Sequence, residues 1–308
     1  NTISKIIKLV GKLNDVQTHQ MLSYESFQFT NDKNCNLMIK VQFNNENIQI
    51  YPEQLIMILL NQIKTDVNEQ YKLKVKSAVI AVPTNFSLYQ RQLIANAALA
   101  CGISSKIIPK TTAVALSLAQ LHKQDHYILS IYMDGGSCGA AMFDLESSVL
   151  EIVHQKGKEL GGCDIDTQLC GYFANQFNQK FGLNIFESKR ALKKLKNSCE
   201  EIKKILSSQQ SAKVTIEQLY ESCDFHMELT RQQFDEICHD IFNSFCDIIK
   251  TVCKESGIQI SKTDEVIFAG GCSKIPKLQE IVKSLVNVDS NHQFNAAEIA
   301  VTGAAIYA

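Results

Sequence analysis

The chain has 308 residues, of which 45% are hydrophobic and 20% charged, with a net charge of −1. This is a globular composition with room for two domains, and it excludes general disorder. It also excludes a global basic field that would gather nucleic acid or anionic lipid, so no direct nucleic-acid partner is indicated.

In chain order, "NTISKIIKLVGK" carries lysines but no continuous apolar segment, so it does not read as a signal peptide. With no Met at its head, the chain is expected to begin inside a longer protein. Residues 23–51 read as short strands, "SFQFT", "LMIKVQF" and "IQIY", with polar turns between them. Pro52 opens a helix, "PEQLIMILLNQIKTDVNEQY", at the favoured first position. "SAVIAVP" (Ser77 to Pro83) is a buried strand. Gln90 to Cys101 is a helix stopped by Gly102. "SKIIP" is a further strand, and Thr112 to Gln120 an alanine-rich helix.

Next comes "YMDGGSCGAAMFDLE", in which strand-like runs (Tyr127 to Met133, Ala140 to Leu145) flank a Gly135-Gly136-Ser137 turn. A helix is expected over Glu187 to Ser207. Leu192, Leu195, Cys199, Ile202 and Leu206 form its apolar stripe, and Glu200, Lys203, Lys204 and Ser207 its polar face. Another helix is expected from Thr230 to Ser256, and "DEVIFAGGCSKIPKLQEIVKSL" reads as strand, Gly270-Gly271 turn, helix. Three double-glycine turns, with Gly161-Gly162 the third, bring backbone close to something and point to a nucleotide cleft. None is a Walker A loop or a G-x-G-x-x-G.

The apolar runs, "LIMILL" among them, are too short to cross a bilayer, so no membrane association is expected. Eleven cysteines are an odd number without a C-x-x-C, and most of them lie in apolar patterns, which reads as buried thiols in a reducing compartment. The seven His are scattered along the chain, and no metal centre is read from them.

The segments "AVIAVPTNFSLYQRQLIANAALACGI", "LGGCDIDTQL", "SKRALKKLKNSCEEIKKILSS" and "VIFAGGCSKIPKLQEIVKSL" resemble, in order and spacing, the ATPase domain of the seventy-kilodalton heat-shock chaperones. The resemblance runs from Asn1 to Ala308. It implies an α/β, actin-like ATPase fold with two lobes around a nucleotide cleft, lacking the family's N-terminal phosphate hairpin. It divides the chain into 1–51 (variable part of lobe I), 52–121 (its incomplete core), 122–161 with 239–308 (core of lobe II) and 162–238 (variable part of lobe II). It implies ATP or ADP as ligand, held by Gly135, Gly136, Ser137, Gly162, Glu200, Lys203, Lys204, Ser207, Gly270, Gly271, Lys274 and Ile275. Pro83 and Arg91 match a pair that couples the nucleotide state to a peptide-binding domain.

The same resemblance gives no catalytic residue and no Mg2+ ligand. The family's lysine falls on Ile7, with Lys8 one residue out of phase. Its glutamate falls on Lys110, and its two hairpin aspartates fall on Tyr132 and Gly139. Its acid after Gly161-Gly162 falls on Cys163, and an acid near the end falls on Ala297. Lys204 and Lys274 stand for arginines, keeping charge but losing the planar fork.

Three readings follow. In the first, a divergent, cytoplasmic family member binds nucleotide weakly, hydrolyses it little or not at all, and serves as scaffold or co-chaperone. Its partners would be a J-domain co-chaperone, a nucleotide-exchange factor or the ribosome, with unfolded peptide bound by a domain outside this chain. In the second, an active ATP-hydrolysing chaperone has relocated its metal ligands, with Asp134 the one acid at hand. In the third, the chain is an actin-fold sugar kinase, which the chaperone motifs and the lack of a catalytic Asp disfavour.

Overall fold

The computed structural model describes residues 3–23, 25, 27–120, 125–286 and 295–308. A single helical turn, α1 (Ile6–Leu9), leads to α2 (Val16–Leu22), which is capped by the Asp15 carboxylate accepting from Thr18 N–H. The strands β1 (Gln28–Asn31), β2 (Leu37–Phe43) and β3 (Glu46–Ile50) form an antiparallel meander where three strands were expected. The helix α3 (Pro52–Tyr71) starts on its proline, whose missing N–H costs nothing in the first turn.

A crossover follows: β4 (Ser77–Val82), α4 (Leu88–Ala100) and β5 (Ser104–Pro109), with the strands parallel. The helix α4 starts two residues before the expected Gln90, because Ser87 and Gln90 close a reciprocal capping box at its head. Likewise α5 (Lys110–Ala119) begins directly on Pro109, two residues early, and Lys110 becomes its first residue.

The central sheet has the order β11-β6-β7-β8. In it β6 (His126–Met133), β7 (Cys138–Glu146) and β8 (Val149–Lys158) form a meander, and β11 (Glu265–Ala269) lies parallel to β6. Both faces of β6 are covered. Leu129, Ile131 and Met133 face one core, while Ile128 and Tyr132 face another built with α5 and α11 (Ile299–Tyr307). This is why β6 reads as a near-continuous apolar run. On the second face α5 and α11 approach so closely that a Cβ at Gly303 would meet the Ala113 carbonyl.

The first core also takes α6 (Gly162–Phe181), α7 (Lys189–Leu206), the hairpin β9 (Ser211–Tyr220) and β10 (Cys223–Thr230), and α10 (Pro276–Val286). The expected stripe of α7, Leu192 to Leu206, is buried there.

One expectation is corrected. Thr230 to Ser256 is two helices, α8 (Arg231–Ile237) and α9 (His239–Glu255). The chain leaves helical geometry at buried Cys238 and turns so that Phe234 and Phe242, 5.9 Å apart, both enter the core. No Gly or Pro marks that break. The expected division at residues 121 and 122 lies outside the described residues.

Candidate functional site

The sheet delivers its turn to a cleft. From Met133 the chain turns through Asp134–Ser137, closed by Asp134 N–H donating to Ser137 O at 2.9 Å. Among the described residues, no acceptor takes the N–H groups of Gly135 and Gly136. The start of α6 packs onto this turn, with Gly162 N–H donating to Asp134 O and Cys163 N–H to Gly135 O. A side chain at Gly161 would run into the Asp134 carbonyl. One at Gly270, which sits at φ +89, would come within 2.6 Å of the Asp134 carboxylate. The three double-glycine turns are therefore one knot of backbone.

In front of the turn lies a cavity of about 390 Å3, within the range of small-molecule sites. Gly135, Gly136 and Ser137 line it together with Glu200 of α7. Five lysines reach its wall: Lys5, Lys8, Lys110, Lys193 and Lys196. Lys8, one residue out of phase with the family's lysine, lays its buried stem across Gly136 and pairs its ammonium with Asp164 at 2.8 Å.

The carboxylates around the turn are already engaged. Lys110 Nζ bonds Asp134, Lys8 bonds Asp164, and Lys203 bonds Asp166 at 2.7 Å. Glu25, 2% exposed, takes Lys5 at 2.9 Å, Lys193 at 3.4 Å and Lys196 at 3.5 Å, with the Ser4 hydroxyl at 2.7 Å. Burial pushes the Glu25 carboxyl up, but Ser4, Lys5 and Lys196 outweigh it and hold it at about 2. Burial and the neighbouring Lys5 push Lys196 down to about 8. Burial raises Asp166, which Lys203 only partly offsets, and it also raises the Cys163 thiol in the cavity wall.

Behind the turn, Tyr132 is 1% exposed and its ring lies across Gly139, its cross-strand partner. The Tyr132 hydroxyl accepts from Thr84 N–H at 3.0 Å, and Lys110 Nζ lies 5.7 Å from the ring centre. The loop after buried Pro83 is held by Arg91, whose Nε donates to Phe86 O at 3.1 Å. Pro83, Arg91 and the Tyr132 hydroxyl thus meet on one short loop.

Not every expected site residue reaches the cavity. Gly135, Gly136, Ser137 and Glu200 line it. Gly162 sits behind the turn, with its carbonyl accepting from Lys203 Nζ at 3.0 Å. Lys204 is exposed and paired with Glu200 at 2.7 Å, and Ser207 Oγ donates back to Lys203 O. Gly270 backs onto Asp134 and faces a second cavity. Gly271, Lys274 and Ile275 lie on the short helical turn beyond it, with Lys274 exposed and Ile275 buried. Lys193, Lys196 and Glu25 were missed. The spacing of Lys193 and Lys196 to Glu200, seven and four residues, was a usable signal for one helix face. Nothing near Glu25 in sequence marks it.

A model of the family described as Hsp70 protein matches residues 1–308. The chain belongs to the Hsp70 family. Heat shock 70 kDa protein 2 of Paracoccidioides lutzii is 30% identical over 314 residues, covering 100% of this chain and 48% of its own length. Heat shock cognate 70 kDa protein 3 of Dictyostelium discoideum is 30% identical over 317 residues, covering 100% and 50%. The Trichophyton rubrum heat shock 70 kDa protein is also 30% identical, covering 100% and 48%. The chain thus spans about half the length of these relatives. Its mixed α/β architecture is that of the Hsp70 actin-like ATPase domain, and Hsp70 proteins bind ATP or ADP with Mg2+.

The cleft fits half of that ligand. The turn's open N–H groups and the lysine-lined wall suit a phosphate chain. The residues do not suit Mg2+, which takes oxygen ligands from carboxylates, phosphates and water. Among the described residues, no group of three or more His, Cys, Asp or Glu could hold a metal ion, and each acid beside the turn already holds a lysine.

Proposed function

We propose that this chain is the nucleotide-binding domain of an Hsp70-like chaperone that holds ATP or ADP weakly and hydrolyses it little or not at all. One observation carries the reading: an intact glycine turn opens on a lysine-lined cavity, with Lys110 in its wall; by the family resemblance Tyr132, Gly139 and Lys110 stand where acids would hold a metal. Phosphoryl transfer in such a cleft depends on positioning and charge neutralisation around the transferred group. Losing several of those groups together costs many orders of magnitude in rate.

The reading extends to a scaffold or co-chaperone in the cytoplasm, working with a J-domain co-chaperone, a nucleotide-exchange factor or the ribosome. Unfolded peptide would be bound outside this chain. The division into two lobes, each with a core and a variable part, belongs to the same proposal. No helix among the described residues is long and apolar enough to cross a membrane.

The competing reading, an active ATPase with relocated ligands, would use Asp134, which does line the cavity. Its carboxylate is engaged by Lys110 and backed by Gly270, which speaks against it. Calorimetric titration of the intact protein with ATP and with ADP tests the binding claim. Saturable one-site heat is the expected result, and no heat with either nucleotide overturns it.

A further inference from the structure

The acids that would carry Mg2+ are missing, and the ammonium groups are in excess. Asp134, Asp164 and Asp166 each hold one lysine, whereas three lysines, Lys5, Lys193 and Lys196, share the single carboxylate of Glu25. All three stand in the wall of the cavity that Gly135 and Gly136 also line. Lys110 stands in the same wall, paired with Asp134 of that turn.

A di- or triphosphate chain carries three to four negative charges and needs positive charge along its length. A lysine ammonium is a compact point charge with three donors and binds phosphate directly. A divalent cation drawing a carboxylate from beside this turn would have to displace a lysine already bonded to it. A phosphate oxygen meets ammonium groups already crowded on one buried carboxylate.

We propose that this cleft binds the phosphate chain of a nucleoside di- or triphosphate without a divalent cation, with the ammonium groups of Lys110, Lys5 and Lys196 supplying the charge that Mg2+ supplies in Hsp70 proteins. This rests on the reading of the cleft as a nucleotide site. Lys196 is the sharpest participant, because burial beside Lys5 makes its proton easier to lose until an anion arrives. Lys8, like Lys110, is paired with a single aspartate, but its stem lies against Gly136 and its side chain is 4% exposed against 25% for Lys110, so it supports the turn rather than the ligand.

The experiment titrates the intact protein, stripped of metal, with ATP in EDTA and with ATP in excess Mg2+, and repeats both on Lys196→Met and Lys110→Met. The two wild-type dissociation constants are expected to agree within about threefold, and each variant is expected to lose tenfold or more in EDTA. Lys196→Met leaves Glu25 with Lys5 and Lys193, so the fold keeps its buried pair, and matching thermal melts check this. Binding that tightens tenfold or more with Mg2+ overturns the proposal while leaving the nucleotide reading standing. Wild-type ATP affinity in EDTA that both folded variants retain also overturns it. No ATP binding in either buffer overturns both. Inorganic tripolyphosphate bound as tightly as ATP overturns the nucleoside part alone.

Discussion

The Tyr132 ring occupies the space above Gly139, its cross-strand neighbour: a Cβ at 139 would come within 2.8 Å of Tyr132 Cε1, and within 3.2 Å of Lys156 O. Positions 132 and 139 are therefore one packed unit, and a side chain at 139 cannot be added without moving the Tyr132 ring.

Gly139→Ala should destabilise the protein by about 1–3 kcal/mol, the usual cost of overpacking a filled site. In a Tyr132→Ala background the added methyl meets an opened space, so its cost should fall by at least about 0.5 kcal/mol. Urea unfolding of the four proteins gives the coupling. Strict additivity would contradict the packed pair.

Tyr132→Phe removes the acceptor of the buried Thr84 N–H. An unsatisfied buried donor costs about 1–3 kcal/mol, so the midpoint of unfolding should fall accordingly at nearly unchanged volume. Because Thr84 lies in the loop that Arg91 holds, amide hydrogen exchange over residues 84–86 should speed up in the variant. Unchanged exchange there would break the proposed link.

Glu25 gives the acid branch of stability. Its carboxyl, near 4.5 when unfolded, is held at about 2 in the fold, so its contribution is fully present above the unfolded value and is lost as pH falls from about 5 toward 2. That difference corresponds to roughly 3 kcal/mol. Glu25→Gln should destabilise the protein at neutral pH by about 3–5 kcal/mol, because three buried or half-buried lysines lose their counter-charge. It should also flatten the slope of stability between pH 5 and 3. A variant that keeps the wild-type slope would remove Glu25 from this role.

Lys196 sets a second pH dependence. The groups facing it are Lys5 before α1, Glu25 after α2, Cys163 and Asp166 of α6, and the buried thiols Cys170 and Cys199. Burial beside Lys5 holds Lys196 at about 8. A phosphate favours its charged form, so ATP affinity in EDTA should weaken as pH rises from 7.5 to 9, with proton uptake on binding near pH 8.5. Calorimetry in buffers of different ionisation enthalpy measures that uptake. Lys196→Met should abolish it.

Much of the frame was legible because it rests on local rules. Pro52 fixed the start of α3, and the three- and four-residue steps from Leu192 to Leu206 fixed the buried face of α7. The glycine turns were visible as sites of close approach, and packing against Asp134 explains two of them. The break at Cys238 was not legible, since it answers to where Phe234 and Phe242 must go rather than to any breaker residue. The strands β8, β9 and β10 were passed over, as were α1, α2, α6 and α11. The contact of the Lys8 stem with Gly136 and its pair with Asp164 were not legible either, since they join segments far apart in sequence. Glu25 could not be read at all. Its partners lie as far as 171 residues away in sequence, and only the fold gathers them.

The claim that this cleft holds a nucleotide without cutting it is tested most directly by single turnover. The intact protein, in excess over γ-labelled ATP, is followed for phosphate release with and without Mg2+. We expect bound ATP to remain intact over hours, at the rate of ATP in buffer, in both conditions. Phosphate release well above that rate, stimulated by Mg2+ and abolished by Asp134→Ala, would contradict the account and establish Asp134 as a relocated metal ligand.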